Sequence, residues 1–191
     1  MKKIALLLVF FCFTLGFAQD KEDTRYFPVV YVLKNSSDTI KARVRNTGIV
    51  SNKKYSVYTI LMKMKMVDKE KNTTWVRPGD LKYIKITDPE NVSYEYYDAA
   101  SKSLNDIGLV RIMYEGKNIR GYQGYSSSGF SIISREYIVN KDQKIIFEGH
   151  IADQKFRDFL NNDLDVEEKL KSAKTFEDYG QALRIWDTKL D

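Results

Sequence analysis

The chain has 191 residues, a length that suits one domain of ordinary size once a short leader is set aside. Its net charge of +5, falling to +3 without Lys2 and Lys3, is mixed along the chain and lacks the footprint of a nucleic-acid binder, while 43% apolar and 13% aromatic residues argue for a folded core and against disorder. A single histidine and a single cysteine exclude most metal sites and the commonest catalytic constellations.

The first segment reads as an export signal. Met1-Lys2-Lys3 is basic, residues 4–16 carry no charge, and Gly16-Phe17-Ala18 puts small residues at the two positions a signal peptidase reads before Gln19. The polar run 19–23 ends the apolar stretch short of the roughly 20 residues a membrane anchor needs. Cys12 lies inside the apolar run behind the bulky Phe11, so lipid attachment is not expected, and cleavage after Ala18 removes it. The mature chain then enters an oxidising compartment with no disulfide available, and its stability rests on packing. No second hydrophobic segment has spanning length.

Residues 20–25 form a polar start. Residues 29–33 and 39–45 read as strands around the turn cluster 35–38, with Ile40, Ala42 and Val44 on one face of the second and Lys41, Arg43 and Arg45 on the other. Residues 55–67 alternate as one long strand, placing Tyr58, Ile60, Met62, Met64 and Met66 on a common face, the methionines as pliable core filling. After the turn 68–72 come strands at 73–77, 81–87 and 92–97. Residues 98–106 are irregular, and 109–114 is a further strand closed by the turn 115–118. Residues 118–130, rich in Gly, Tyr and Ser, read as a mobile loop or ragged hairpin. A last hairpin covers 131–139 and 144–148.

Near residue 151 the apolar period changes from two to 3.6. Ile151, Lys155, Phe156, Phe159 and Leu160 fit one helical face, and Leu164, Leu170 and Ala173 suggest a second helix. Thr175 caps a third, with Asp178 at its third position and Phe176, Tyr179, Ala182, Leu183 and Trp186 as its stripe. The expectation is an α+β, mainly β fold in which residues 19–191 form one domain. Residues 26–149 form an antiparallel sheet, as sandwich or open barrel, of about eight to ten strands, covered by a C-terminal helical segment at 151–190.

Several phrases stand in a telling order. A leader ending Phe-Ala-Gln precedes the hairpin Val-Leu-Lys-Asn-Ser-Ser-Asp-Thr-Ile-Lys-Ala. Next come Val-Arg-Pro-Gly-Asp-Leu-Lys-Tyr-Ile and a strand ending Tyr-Glu-Gly. The tail carries Phe-Arg-Asp-Phe-Leu and Thr-Phe-Glu-Asp-Tyr. This pattern resembles a set of small exported proteins of unknown function in Bacteroidota, especially flavobacteria, over most of the mature chain. Ser36, Ser37 and Ala42 stand where the early hairpin of that set usually has glycines. The resemblance implies a location in the cell envelope and no activity.

The chemical inventory is short. His150, at the junction of the last strand and the helices, is the only histidine through which a Ser-His-Asp mechanism would pass, and it reads as a surface residue. No phosphate-binding glycine pattern is present. A histidine-free hydrolase would need paired carboxylates. Glu95, Asp98, Glu115, Glu136 and Glu148 lie on or beside strands, but solvated strand faces explain them more simply. Tyr94, Tyr96, Tyr114, Tyr122 and Tyr125 are candidate binding residues, because tyrosine supplies large contact area at low entropic cost; ordinary strand coverage is the competing explanation. Lys41, Arg43 and Arg45 with Lys63 and Lys65 form a basic stripe if their strands pair, facing an anionic lipid headgroup or acidic polysaccharide, or merely guarding a sheet edge.

The expected function is a non-enzymatic binding or structural module, periplasmic, attached to the cell surface or secreted. Its partner would be a protein, glycan or lipid headgroup, with no cofactor, no metal, no catalytic residue and no nucleic acid. The alternative is a carboxylate-dependent hydrolase acting on envelope polysaccharide.

Overall fold

Alternating apolar residues and short polar turns produce ten strands that pair in one antiparallel sheet among the described residues. The computed structural model describes residues 24–47, 54–104, 107–129, 131–151, 153–160 and 163–190; the export leader expected at 1–18 lies outside them. The strands are β1 (Tyr26–Leu33), β2 (Ile40–Arg45), β3 (Met64–Val67), β4 (Thr73–Val76), β5 (Leu81–Thr87), β6 (Ser93–Asp98), β7 (Leu109–Glu115), β8 (Ile119–Ser128), β9 (Ser131–Asn140) and β10 (Ile145–Gly149). A helical turn, α1 (Tyr58–Leu61), precedes β3, and α2 (Gln154–Phe159), α3 (Leu164–Ser172) and α4 (Phe176–Asp187) form the tail.

The sheet order is β10-β9-β8-β7-β6-β5-β1-β2-β3-β4. Two meanders, β1 to β4 and β5 to β10, are joined by antiparallel pairing of β1 with β5. The fold is thus mainly β with a C-terminal helical segment, and the sheet is not closed.

Three hairpin turns share one chemistry. Asp68, Asp88 and Asn140 each use a side-chain oxygen to accept the N–H four residues on, from Asn72, Val92 and Lys144, at 2.8–2.9 Å. Lys71, Asn91 and Gln143 close these turns in the left-handed region, at φ of 66°, 62° and 62°. Asp and Asn favour such turns because their short side chains satisfy local backbone donors.

Two cores occupy the helix-facing side of the sheet. Phe27, Val29, Val44, Met64, Met66, Ile84, Ile86 and Tyr96 form the first, together with Ile60 of α1 and Leu109 of β7, so the first half of the sheet rolls toward β7 and β8. In the second, Ile119, Ile138 and Phe147 meet Phe156, Leu160, Val166, Ala182, Leu183 and Trp186 of the tail. Strand alternation sends Tyr122, Tyr137 and Val139 to the opposite face, under Ala99 and Leu104 of the β6–β7 connection. Helix α4 lies close on β7 and β8 because two glycines let it. A Cβ on Gly121 would overlap Leu183, and one on Gly180 would overlap the Met113 carbonyl oxygen.

Two expectations are corrected. Residues 55–67 are not one strand: residues 58–61 turn helically and the strand begins at Met64. The cause is the buried Asn46, whose amide donates to the Lys54 carbonyl at 3.0 Å and whose oxygen accepts from Ser56 N–H and the Thr59 hydroxyl at 2.9 and 3.1 Å. These bonds replace a strand ladder there, and Met62 is left 57% exposed while Met64 and Met66 are buried. For residues 118–130 the mobile-loop alternative is the one corrected, and the hairpin alternative stands, with a regular ladder. Ten of them form β8, paired with β9 from Ile119↔Asn140 to Ser128↔Ser131.

In the tail, Lys155 and Leu164 point outward, and Val166 takes the buried place in α3. The cap of α4 is as expected: Asp178 accepts the N–H groups of Lys174 and Thr175, each at 2.9 Å, and Thr175 accepts the Asp178 N–H at 3.2 Å. These bonds hold the Asp178 carboxyl down to about 2. The folded value lies below the unfolded one, so the stabilisation is complete above about pH 4 and is lost as pH falls toward 2. Asp178→Asn should therefore flatten the fall in melting temperature between pH 4 and pH 2; equal slopes in both proteins would remove Asp178 from the acid response.

Candidate functional site

The five candidate tyrosines do not form one exposed surface. Tyr94, Tyr96 and Tyr125 gather with Tyr55 at the end of the first core, with Tyr55 and Tyr94 ring centroids 4.5 Å apart. Tyr96 is fully buried, and burial raises its hydroxyl well above the ordinary tyrosine value. Tyr122 is buried on the opposite face and donates to Glu115 at 3.1 Å. Tyr114 lies under the tail and donates to Asp187 at 2.8 Å. Tyr125 is half-buried and donates to Gln123. These rings pack the sheet and brace its polar groups.

The strand carboxylates are likewise engaged. Asp98 pairs with Lys34 at 2.9 Å, Glu115 with Lys102 at 2.7 Å and Glu148 with Arg135 at 2.7 Å. Glu136 is buried and accepts from the Gln123 amide and the Ile151 N–H, both at 2.8 Å. A cleft of about 300 Å³ holds Glu95 with Glu177, Tyr97, Arg111 and Phe176. Burial pushes the Glu95 carboxyl up, but hydrogen bonds from Lys85, Tyr97 and Tyr83 outweigh it and leave the group below its usual range. His150 is exposed just beyond β10. Among the described residues no three His, Cys, Asp or Glu side chains gather to hold a metal, and no helix is long and apolar enough to cross a membrane.

A different concavity lies on the outer face of β2, β3 and β4. Val44, Met64, Met66 and Val76 are buried on the inner face, so alternation turns Arg45, Lys65 and Trp75 outward. Strand β2 pairs with β3 through Arg43↔Val67 and Val44↔Met66, and β3 pairs with β4 so that Lys65 stands opposite Trp75. The pairing on which the basic stripe depends is therefore present. Arg45, Lys63, Lys65 and Trp75 line a cleft of about 390 Å³ with Arg25 at the start of β1. Lys63 Nζ lies 5.7 Å from the Trp75 ring centroid, and the indole is 53% exposed.

The remaining wall is Asn46 and Thr47. Asn46 also donates its backbone N–H to the Arg25 carbonyl at 2.8 Å, which ties the β1 and β2 sides of the cleft together. Among the described residues no carboxylate lines the cleft, and Lys41, Arg45, Lys63 and Lys65 make no ion pair. Arg45, Lys63 and Lys65, gathered with no ion pair among the described residues, repel one another, and an anion that neutralises them is favoured. Trp75 and Arg25 were not singled out as candidates from sequence. The available signal was parity: Val76 faces the core, so Trp75 must share the face of its strand partner Lys65.

No protein-family model, curated protein or solved structure matches the chain.

Proposed function

We propose that the protein is a non-enzymatic binding module, exported to the cell envelope or beyond, whose ligand is anionic and sits in the cleft between Arg45, Lys65 and Trp75. The observation that carries this reading is the cleft itself: Arg45, Lys63 and Lys65 beside a half-exposed indole, with no carboxylate among the described lining residues. Tryptophan and arginine dominate the energetics of binding surfaces, and a concave site concentrates the field of its charges. The Asn46 network behind the cleft lowers the cost of ordering it around a ligand. The export part rests on the leader at 1–18 and on the resemblance to exported envelope proteins.

The hydrolase alternative draws on the cleft holding Glu95 and Glu177. It is the weaker reading, because a general acid needs a raised carboxyl value and Glu95 is lowered.

The test uses chain secreted by its host, with Gln19 expected as the first residue by mass spectrometry. On a dextran sulfate column, Arg45→Glu combined with Lys65→Glu should elute at clearly lower salt than wild type, more than Lys171→Glu and Lys144→Glu combined at distant exposed sites. Equal shifts for the two pairs would show a mere net-charge effect and overturn the cleft as the site.

A further inference from the structure

Trp75 does not belong to one cleft only. It also lines a second concavity of about 490 Å³, together with Leu33, Asn35, Thr74, Val76, Gly79 and Asp80. Trp75 therefore borders both the cationic cleft and one carrying an amide, a hydroxyl, a carboxylate and open backbone, which reaches round the edge strand β4 to the face where Thr74 and Val76 turn. Lys34, also in that wall, is occupied by Asp98 at 2.9 Å.

Resting on the anionic-ligand reading above, we infer that the ligand is an acidic polysaccharide, with a neutral sugar in the Asn35–Thr74–Asp80 cleft, an adjoining charged sugar in the Arg45–Lys65 cleft, and the chain crossing over the exposed Trp75 ring. Three features favour this class. First, the two clefts differ in chemistry. Carboxylate or sulfate groups match lysine and arginine, and sugar hydroxyls, which both donate and accept, match the mixed groups of Asn35, Thr74 and Asp80.

Second, a flat ring exposed on one strand offers a stacking surface for a flat, partly apolar pyranose face, and Lys63 places an ammonium beside that surface. Third, the other polyanions fit less well. Single-stranded nucleic acid stacks successive bases on successive aromatics, and among the described residues Trp75 is the one aromatic lining either cleft. An anionic bilayer would bring its headgroups against Asp80 as well as against the lysines.

The experiment titrates the full mature chain with four probes: a hyaluronan hexasaccharide, in which uronate alternates with a neutral sugar; a polygalacturonate hexamer, charged at every sugar; phosphatidylglycerol vesicles; and oligodeoxythymidylate. The alternating hexasaccharide should bind most tightly despite carrying half the charge of the galacturonate hexamer. Trp75→Ala should weaken it about tenfold and Trp75→Phe much less. Trp75 is largely solvent-facing, so both variants should melt like wild type. Hexasaccharide binding unchanged in Trp75→Ala, or tighter binding of the galacturonate hexamer, the vesicles or the oligonucleotide, would overturn the polysaccharide assignment while leaving the cationic cleft standing. If no anionic probe binds and reversal of Arg45 and Lys65 changes nothing, the anionic-ligand reading falls with it.

Discussion

Ending the chain after Gly149 is expected to leave a product that aggregates or lacks a cooperative thermal transition. The tail supplies most of the second core: Phe156, Val166 and Ala182 are fully buried, Leu183 is 1% exposed, and Trp186 packs edge-on against Phe159 at 4.8 Å between centroids. Burial of one large apolar side chain is worth about 1.5–3 kcal/mol, and net stability is typically about 5–15 kcal/mol, so losing several such residues exceeds what a domain can spare. The same deletion opens Ile119, Ile138 and Phe147 of the sheet to water.

Short helices are marginal alone, which gives the tail no independent existence either. The single substitution Trp186→Ala should cost about 3–5 kcal/mol by the cavity argument, read from chemical denaturation. A soluble fragment ending at Gly149 that melts with the full-length transition would mean that the tail adds nothing to the core, and would turn its aromatic stripe into a partner surface.

Asp187→Ala should be nearly as damaging, for a different reason. Asp187 ends α4 at 4% exposure, yet its carboxylate accepts four hydrogen bonds: from the Tyr114 hydroxyl at 2.8 Å and from the N–H groups of Lys117, Asn118 and Ile119 at 3.0 Å each. One side chain thus satisfies the donors of the β7–β8 turn and pins the helix to the sheet. Removing it strands buried donors, at about 1–3 kcal/mol for each one that water cannot reach, and a total loss of about 3–5 kcal/mol follows. That corresponds to a fall in melting temperature of about 10 °C for a chain of this size. Asp187→Asn keeps one acceptor oxygen and sets an NH2 group against the remaining donors, so its stability should fall in between. An Asn variant as stable as wild type would show that the charge contributes nothing and the shape suffices.

What was legible in sequence was whatever one strand or one helix end decides locally. The alternation of 39–45, the run 81–87 and the turns at Asp68, Asp88 and Asn140 each carry their own instruction: side chains two apart share a face, and an Asx side chain satisfies the backbone beside it. The Thr175 and Asp178 cap is equally local. The failures arose where a distant residue settles the outcome. Residues 55–67 alternate like a strand, but Asn46 captures the polar groups of Lys54, Ser56 and Thr59 and bends the chain before Met64. Residues 118–130 have the composition of a loop, but Gly121 is there to admit Leu183, and residues 119–128 pair with β9 on one side and β7 on the other.

The same division holds for the site. The alternation of Lys41, Arg43 and Arg45 was visible in the chain, and so was their dependence on pairing with the strand that carries Lys65. Composition made the tyrosines look like a binding surface, yet the roll of the sheet buries Tyr96 and covers Tyr122, because burial depends on which elements cross over a face and not on the residue type. The exposure of Trp75 has the same origin. Its strand β4 is the outermost one of the first meander, no described residue packs over the outer face beside Lys65, and only the assembled order of strands places Trp75 at the border of two clefts of different chemistry.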